Sequence, residues 1–484
     1  MTFICVGTQG YWRAGQYGGN AMTSNDHQGA ERIRLDFVPK DAYLSKEWLR
    51  LENERLWPRV WQIACRVEEV KQVGDYVTYN IADESIIVVR TGEERIEAFF
   101  NVCQHRGRRL TEGCGHTNTF RCRYHGWTWK IDGSLAKIQD PEDWAGCRDF
   151  SPEHLRLPRV QVGLWAGFVF INMDPQAEPL EQFLHPLPEY LNGFEFEKWR
   201  FRWYKTTVLP CNWKTALEGF NEAYHVACTH PQLLDHMGDD PTRSVMLGRH
   251  GMYYYPPERR PLGAPASRTN KPMPEDLRPG VVRHYNELNE TLKAMYSPRS
   301  VEATHRLLKE VEPTDDAMRV YGMMEQFQRE AAVASGAGWP QMTPEQRFKA
   351  GTEWHLFPNH VFLPLADASI AYRARPNGGD PDSCIFDIWS LQRYAPGAEP
   401  SLQREFIPDW KANTVADFGY ILSQDFQNFE RVQLGMKSRA FVGARTNPLQ
   451  ESEIPNMHRA LHEYLFGSAP ALADSEPTLR AVNT

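Results

Sequence analysis

Apolar and polar residues alternate through Asp75-Tyr-Val-Thr-Tyr-Asn-Ile81, and short apolar runs follow at Ser85-Ile-Ile-Val-Val-Arg90 and Ile96-Glu-Ala-Phe-Phe-Asn-Val102. A period of two predicts strands, and the Gly turns around them predict antiparallel pairing. The longest apolar stretch, Val162–Met173, is too short to cross a bilayer and reads as a buried strand pair. A helix is predicted from Ser45 through Trp48, Leu49, Leu51, Glu54 and Leu56, with the serine as N-cap. Residues 175–188 read as a linker or a short helix.

The second half changes period. Phe201–Val208 alternates as a strand that Pro210 ends, and Asn212–Ala227 reads as a helix with Asn212 as N-cap and Pro231 beyond its end. Residues 255–280, rich in Pro, Arg and Gly, read as loop. Residues 281–333 read as helical, with Leu288, Leu292, Met295, Leu307 and Leu308 facing inward. Strand character returns at Trp354–Leu365, Ser369–Ala374 and Cys384–Leu391, and Asp409–Gln433 reads as one long helix. The expected class is α+β. A small antiparallel β domain occupies 41–175 with its N-terminal helix. A larger helix-on-antiparallel-sheet domain occupies 176–470, with a helical insertion at about 255–350. Residues 1–40 and 471–484 read as tails, the first being Gly-, Asn- and Ser-rich and expected to be disordered. Met22 is a candidate start.

Composition narrows the class. Hydrophobic residues make up 41% and charged residues 24% of 484 positions, a balance that supports a large core. A net charge of −8 argues against nucleic acid or an anionic membrane as partner. With neither a signal sequence nor a spanning segment evident, a cytoplasmic location is expected. Of nine cysteines, Cys5, Cys65, Cys114, Cys147, Cys211, Cys228 and Cys384 have no framework spacing and are expected to be free thiols. No Gly-x-Gly-x-x-Gly is present, so any nicotinamide or flavin chemistry belongs to another chain.

The candidate chemistry begins with two mixed pairs, Cys103-Gln-His105-Arg-Gly and Cys122-Arg-Tyr-His125-Gly-Trp, with sixteen residues between them. Two thiolates and two imidazoles are the ligand set of a Rieske [2Fe-2S] centre. Structural zinc also accepts Cys2His2, but zinc fingers keep the two Cys together and the two His together. Mixed pairs let two facing loops give each iron two like ligands. Gly107 and Gly126 suit the tight turns, and Trp127 and Trp129 are placed to exclude water.

A second set lies downstream. Glu222, His225 and His230 fall on the predicted 212–230 helix, which must end or distort before His230 at Thr229-His-Pro. Two His and a carboxylate with open positions describe a non-haem Fe(II) oxygenase centre. By itself His-x4-His is as consistent with surface or core histidines.

Together these segments resemble the large (alpha, catalytic) subunit of Rieske non-haem iron ring-hydroxylating oxygenases. The resemblance rests on the two Cys/His motifs, Asn212-Trp-Lys, Ala223-Tyr-His225-Val-Ala-Cys-Thr-His230-Pro and Gln424-Asp-Phe-Gln-Asn-Phe-Glu430. It implies a small Rieske domain, a START-like helix-grip catalytic domain, and a mononuclear iron held by His225, His230 and Asp425. Many aromatic dioxygenases of the family carry Asp where Glu222 stands. That residue is implied to bridge, by hydrogen bonds, a cluster histidine of one subunit and an iron histidine of its neighbour. Glutamate here resembles the subset acting on quaternary amines; a role limited to orienting His225 is the other reading. The implied activity is that of a terminal oxygenase using O2 to hydroxylate an aromatic or other hydrophobic substrate. Monooxygenation or demethylation of a quaternary amine or methoxy compound is the alternative. Implied partners are a separate NAD(P)H reductase, with or without a ferredoxin, further copies of the chain in a trimer, and in some members a small beta subunit. Candidate substrate contacts are Phe220, Ala227, Cys228, Met237, Phe362 and Leu365. A Rieske electron carrier and a zinc-stabilised binding protein are the readings from other classes.

Overall fold

The computed structural model describes residues 33–468. The expectations for Cys5, Met22 and the 471–484 tail lie outside them. The chain forms two compact units. One comprises Arg50–His185 with Leu402–Phe406; the other comprises Pro186–Ser401 and the described residues up to Leu49 and from Ile407.

The first unit is built on a seven-stranded antiparallel sheet. Its strands lie in the order Gln62–Arg66, Phe168–Asn172, Arg159–Trp165, Arg95–Phe100, Glu84–Gly92, Asp75–Ile81 and Cys114–His116. A three-stranded sheet, Thr119–Arg121, Thr128–Lys130 and Leu135–Lys137, carries the second Cys/His loop. Between them lies a core of Ile87, Val89, Phe99, Leu110, Phe120, Trp127, Trp129 and Leu157. The predicted 162–173 pair is a hairpin turned at Ala166 and Gly167, whose φ values of 53° and 79° fit a twisted two-residue turn. Only its second strand is buried throughout. The first meets its other neighbour at Arg159 and Val160 alone, which leaves Leu164 exposed.

In the second unit seven strands lie side by side, all antiparallel. Their order is Arg243–Leu247, His250–Tyr254, Glu353–Leu356, His360–Pro364, Ala368–Asn377, Asp380–Arg393 and Trp199–Leu209. The helix Tyr420–Met436 lays its buried face, including Phe426 and Phe429, against Phe386 and Phe220. The helical insertion falls between the second and third of these strands and includes Arg278–Thr291, Pro298–Thr304 and Ala317–Ala334. No helix among the described residues is long and apolar enough to cross a membrane.

Several local expectations change. Val38–Pro39, placed in a disordered tail, pair with Gly443–Ala444. The helix start does carry the Ser45 cap, with Oγ accepting from Trp48 N at 3.2 Å. The short helix before it belongs to the second unit, where Tyr43 donates to Glu218 at 2.9 Å, so the boundary at 41 moves. Asp409–Gln433 is two helices, Thr414–Phe418 and Tyr420–Met436. Gly419 between them takes φ 86°, and a Cβ there would stand 2.2 Å from the Thr291 carbonyl. The strand character at Trp354–Leu365 resolves into two strands, Glu353–Leu356 and His360–Pro364. Leu308 is exposed while Leu307 is fully buried, because a helix of four residues takes its phase from its neighbours. Cys114 is disulfide-bonded rather than free, a pairing that spacing could not reveal; the other described cysteines are free.

Candidate metal centres

The two Cys/His loops of the first unit share one backbone frame. Cys103 N donates to Arg108 O and Gly107 N to Cys103 O, both at 2.9 Å. Cys122 N donates to Trp127 O at 2.8 Å and Gly126 N to Cys122 O at 3.0 Å. Gly107 and Gly126 take φ 74° and 75°, the left-handed region that glycine enters without a Cβ clash. Each sulfur accepts backbone N–H groups two and three residues on, from His105 and Arg106 in one loop and from Tyr124 and His125 in the other. Such bonds stabilise thiolate.

The loops bring all four predicted ligands together. Cys103 and Cys122 are buried within hydrogen-bond contact of each other, and the imidazoles of His105 and His125 lie 4.6 Å apart between centroids. Nδ1 of each histidine is buried with no hydrogen-bond partner. Two thiols in contact and two orphaned imidazole nitrogens, carried by one pair of loops, fit a cluster with two sulfur and two imidazole ligands. Trp127 stacks on His105 at 4.8 Å, 10° from parallel, and is buried; Trp129 anchors behind it by donating Nε1–H to Leu155 O at 2.7 Å. Opposite, an open recess of about 700 Å³ reaches Cys122 and His125, with Arg121, Arg123 and Tyr124 on its wall.

In the second unit the expected 212–230 helix is broken. Asn212 caps its start as predicted, accepting from Lys214 N at 3.1 Å, but the helix stops at Glu218. Gly219 lies so close to Phe429 that a Cβ would fall 2.4 Å from the ring, and the chain turns there through Phe220–Tyr224. A second helix of one turn, Val226–Thr229, follows His225. Glu222 therefore reaches His225 across a turn, not as a helical neighbour. Its carboxylate accepts from His225 N at 3.0 Å and from His225 Nδ1–H at 2.7 Å.

Across from this segment stands Asp425, on the helix Tyr420–Met436. His230 Nε2 lies 3.0 Å and His225 Nε2 3.7 Å from its Oδ1, and ligand atoms of all three residues lie within 4.8 Å of one another. His230 Nδ1 is held at 2.9 Å by Oε1 of Gln424, which also accepts from Gln232 at 2.9 Å. With both Nδ1 positions donating outward, both Nε2 lone pairs face the Asp425 carboxylate. Acceptors facing acceptors call for a cation between them. Burial opposes charge on His225, yet Glu222 and then Asp425 outweigh it and push the ring up to about 9. The same field favours a divalent metal, so the donor set fits a mononuclear iron with two His and one carboxylate.

Substrate candidates are not gathered in the same way. Phe220 stacks on Tyr372 at 3.9 Å inside the core, Phe362 and Met237 are buried, Ala227 and Leu365 are half-buried, and Cys228 is exposed. Gln424 had no assigned role in the sequence; its position beside Asp425 was the available signal.

Comparison with known proteins agrees with both centres. The Rieske [2Fe-2S] domain family matches residues 60–150, and the ring hydroxylating alpha subunit (catalytic domain) family matches 196–467. The carnitine monooxygenase oxygenase subunit of Escherichia coli K12 is 34% identical over 220 residues, 45% of this chain and 58% of that protein. The chain thus spans a little over half of that relative's length. The anthranilate 1,2-dioxygenase large subunit of Acinetobacter baylyi is 32% identical over 202 residues, 40% of this chain and 42% of that one. Among solved structures, a quaternary ammonium Rieske monooxygenase bound to L-carnitine shares the fold with a TM-score of 0.59 at 21% identity, covering 89% of this chain and 96% of the other. Naphthalene 1,2-dioxygenase from Rhodococcus sp. gives 0.57 at 19% identity, covering 91% and 95%.

Proposed function

The chain belongs to the ring-hydroxylating alpha-subunit family, and on that premise we propose that it is the terminal oxygenase of a multicomponent system. The observation that carries this reading is the pairing of two histidine Nε2 atoms with Asp425 in a chain that also holds the Cys/His loops. A one-centre electron carrier has no use for the first set.

Cys103, His105, Cys122 and His125 would hold the [2Fe-2S] cluster, and His225, His230 and Asp425 the mononuclear iron. Loaded, the two centres supply electrons and O2 activation. The protein's own part is positional. Glu222 fixes the ring of His225 through Nδ1 and the backbone N–H, Gln424 fixes His230, and the Trp127 face shields His105 from water. Electrons come from a separate reductase, whose approach the Arg-bearing recess beside His125 suits. A trimer in which Glu222 serves the neighbour's cluster follows from the family's pattern. Active monomer in light scattering would remove that bridging role.

Two substrate classes are supported. Glu222, and likeness to carnitine and glycine betaine monooxygenase oxygenase subunits, favour a quaternary amine. Likeness to the anthranilate dioxygenase large subunit favours an aromatic compound. The test is O2 uptake by the iron-loaded protein with a surrogate reductase, over a panel of quaternary amines and aromatics. Substrate-stimulated uptake with hydroxylated or demethylated product is expected; a reducible cluster with no stimulation by any member of either class would sink the oxygenase reading.

A further inference from the structure

Arg259 lies in the loop that follows the strand His250–Tyr254. It is half-buried, with its guanidinium over the Tyr255 ring at 4.0 Å from the centroid. Nη1 donates to two carbonyls, Met237 O at 3.3 Å and Asp239 O at 3.0 Å. Nε and Nη2 donate to nothing among the described residues, and none of those residues forms an ion pair with Arg259.

The nearby acids are committed elsewhere. Asp239 accepts from Arg260 N at 3.0 Å, from Ser267 N at 2.6 Å and from the Ser267 hydroxyl at 3.1 Å. Asp240 pairs with Arg268 at 2.7 Å. The groups within electrostatic range inside the unit include Tyr321 and His284, which burial keeps neutral. A guanidinium is always charged and presents its donors as a planar fork. Here the Nη1 end is spent on carbonyls, and the Nε–Nη2 edge is left without a counter-ion. That edge is the one that takes a carboxylate through two parallel hydrogen bonds.

The fork is tied to the chain that leaves the iron ligand His230. His230 begins the short turn Pro231–Asp235, and the loop carrying Arg259 is laced to this segment. Ala266 N donates to Leu234 O at 2.7 Å, Gly263 N to His236 O at 2.8 Å and Gly238 N to Ala264 O at 2.9 Å. The two backbones run so close that a Cβ on Gly238 would stand 2.3 Å from Arg260 O. At a rise of about 2 Å per residue in such a turn, Met237 is no more than about 14 Å from His230. Tyr255, beneath the guanidinium, is also within electrostatic range of Glu222, the partner of His225. The fork is therefore about one small organic molecule away from the iron ligands.

We propose that Arg259 binds a carboxylate group of the substrate, so that the chain oxidises a small organic acid at the end remote from that group. This rests on the oxygenase reading and sharpens both of its substrate classes: a quaternary amine would be a zwitterionic amino acid, and an aromatic compound an aromatic acid. The Nε–Nη2 edge fixes the acid end, and the turn from His230 sets its distance from the metal. An arginine that only ties Met237 O to Asp239 O has no use for that edge.

The probes are trimethylammonioacetate, its longer-chain homologues, benzoate and ring-substituted benzoates. Each is measured beside its methyl ester, which keeps the framework and removes the charge. Calorimetry on the holoenzyme reads binding, and O2 uptake with a surrogate reductase reads turnover. At least one acid should bind more tightly than its ester. Arg259→Gln should weaken that acid by about 10²-fold and leave the ester unchanged, and Arg259→Lys, with the charge but not the fork, should recover part of the loss. In turnover, KM for the acid should rise with kcat little altered. A purely structural arginine would shift acid and ester alike. The proposal is overturned if no acid outbinds its ester in wild type, or if folded Arg259→Gln keeps the wild-type acid-to-ester ratio. Should Arg259→Gln not fold, the same ratio in Arg259→Lys decides, an unchanged value overturning the proposal and a lowered one supporting it. The oxygenase reading fails separately: if an acid binds through Arg259 but no probe stimulates O2 uptake, the carboxylate site stands and the oxygenase does not.

Discussion

The two metal centres each use a pair of histidines and are built in opposite ways. The Cys/His loops close on themselves. Each is a Cys-to-Gly turn with the same pair of backbone hydrogen bonds, and its ligands sit within four residues. The iron set closes only through the tertiary fold. Its carboxylate comes from a distant helix, and Gln424, which aims His230, stands 194 residues after it. A loop that closes itself tolerates changes elsewhere; a site closed by packing does not. Damage should therefore stay local in the first case and spread in the second.

The largest effects come from removing ligands. Cys122→Ser should abolish the visible absorbance of the cluster and leave one iron per chain. His225→Ala should keep the absorbance and leave two. Turnover should vanish in both, so iron content and spectrum rather than activity make the distinction. If His225→Ala also bleached the cluster, the two centres would not be independent. Next in size is Glu222→Gln, which keeps an acceptor for His225 but not the charge. Both metals should be retained, and turnover should fall by about 10–100-fold or more. Full turnover in that variant would leave the Glu222 charge with no part in electron passage.

The contrast also explains what could be read from sequence. The cluster motifs carry their own geometry, since Cys, His and Gly at short spacing specify a turn and its ligands together. Asn212 and Ser45 were legible as caps for the same reason: a cap is a local hydrogen bond. The helix expected from 212 to 230 failed because the cause of its break is not local. Gly219 is crowded by Phe429, which lies on a different helix. The 3.6-residue pattern continued through the break, so periodicity saw none. Asp425 entered only through family resemblance, as nothing in its neighbours distinguishes it from a solvated helical charge. Arg259, one of several arginines in a stretch read as loop, left no signal at all.

A smaller effect tests the packing-closed site away from its ligands. Gly219→Ala leaves every donor in place but puts a Cβ 2.4 Å from the Phe429 ring. The ring or the Phe220–Tyr224 turn must move, at a cost of about 1–3 kcal/mol. Because that turn carries Glu222, mononuclear iron should bind more weakly while the cluster spectrum stays unchanged. Titration of iron into metal-depleted protein measures this. Unaltered affinity with lowered stability would show that the turn holds its shape independently of its packing.

The smallest effect tests the self-closing loops. Gly107 and Gly126 share φ near 75°, but a Cβ on Gly107 would meet nothing within 4 Å, whereas one on Gly126 would lie 3.5 Å from the Arg121 guanidinium. If backbone conformation alone sets the cost, Gly107→Ala and Gly126→Ala should each cost about 1 kcal/mol, the penalty of a non-glycine residue in the left-handed region. Both should still assemble the cluster, and denaturant midpoints for loss of its absorbance should fall by similar amounts. A contact of 3.5 Å with the flexible tip of an arginine adds little, so a much larger loss in Gly126→Ala could not come from crowding. It would mean that the two loops, alike in frame, are unequal in strength, with the His125 loop giving way first as the cluster is lost.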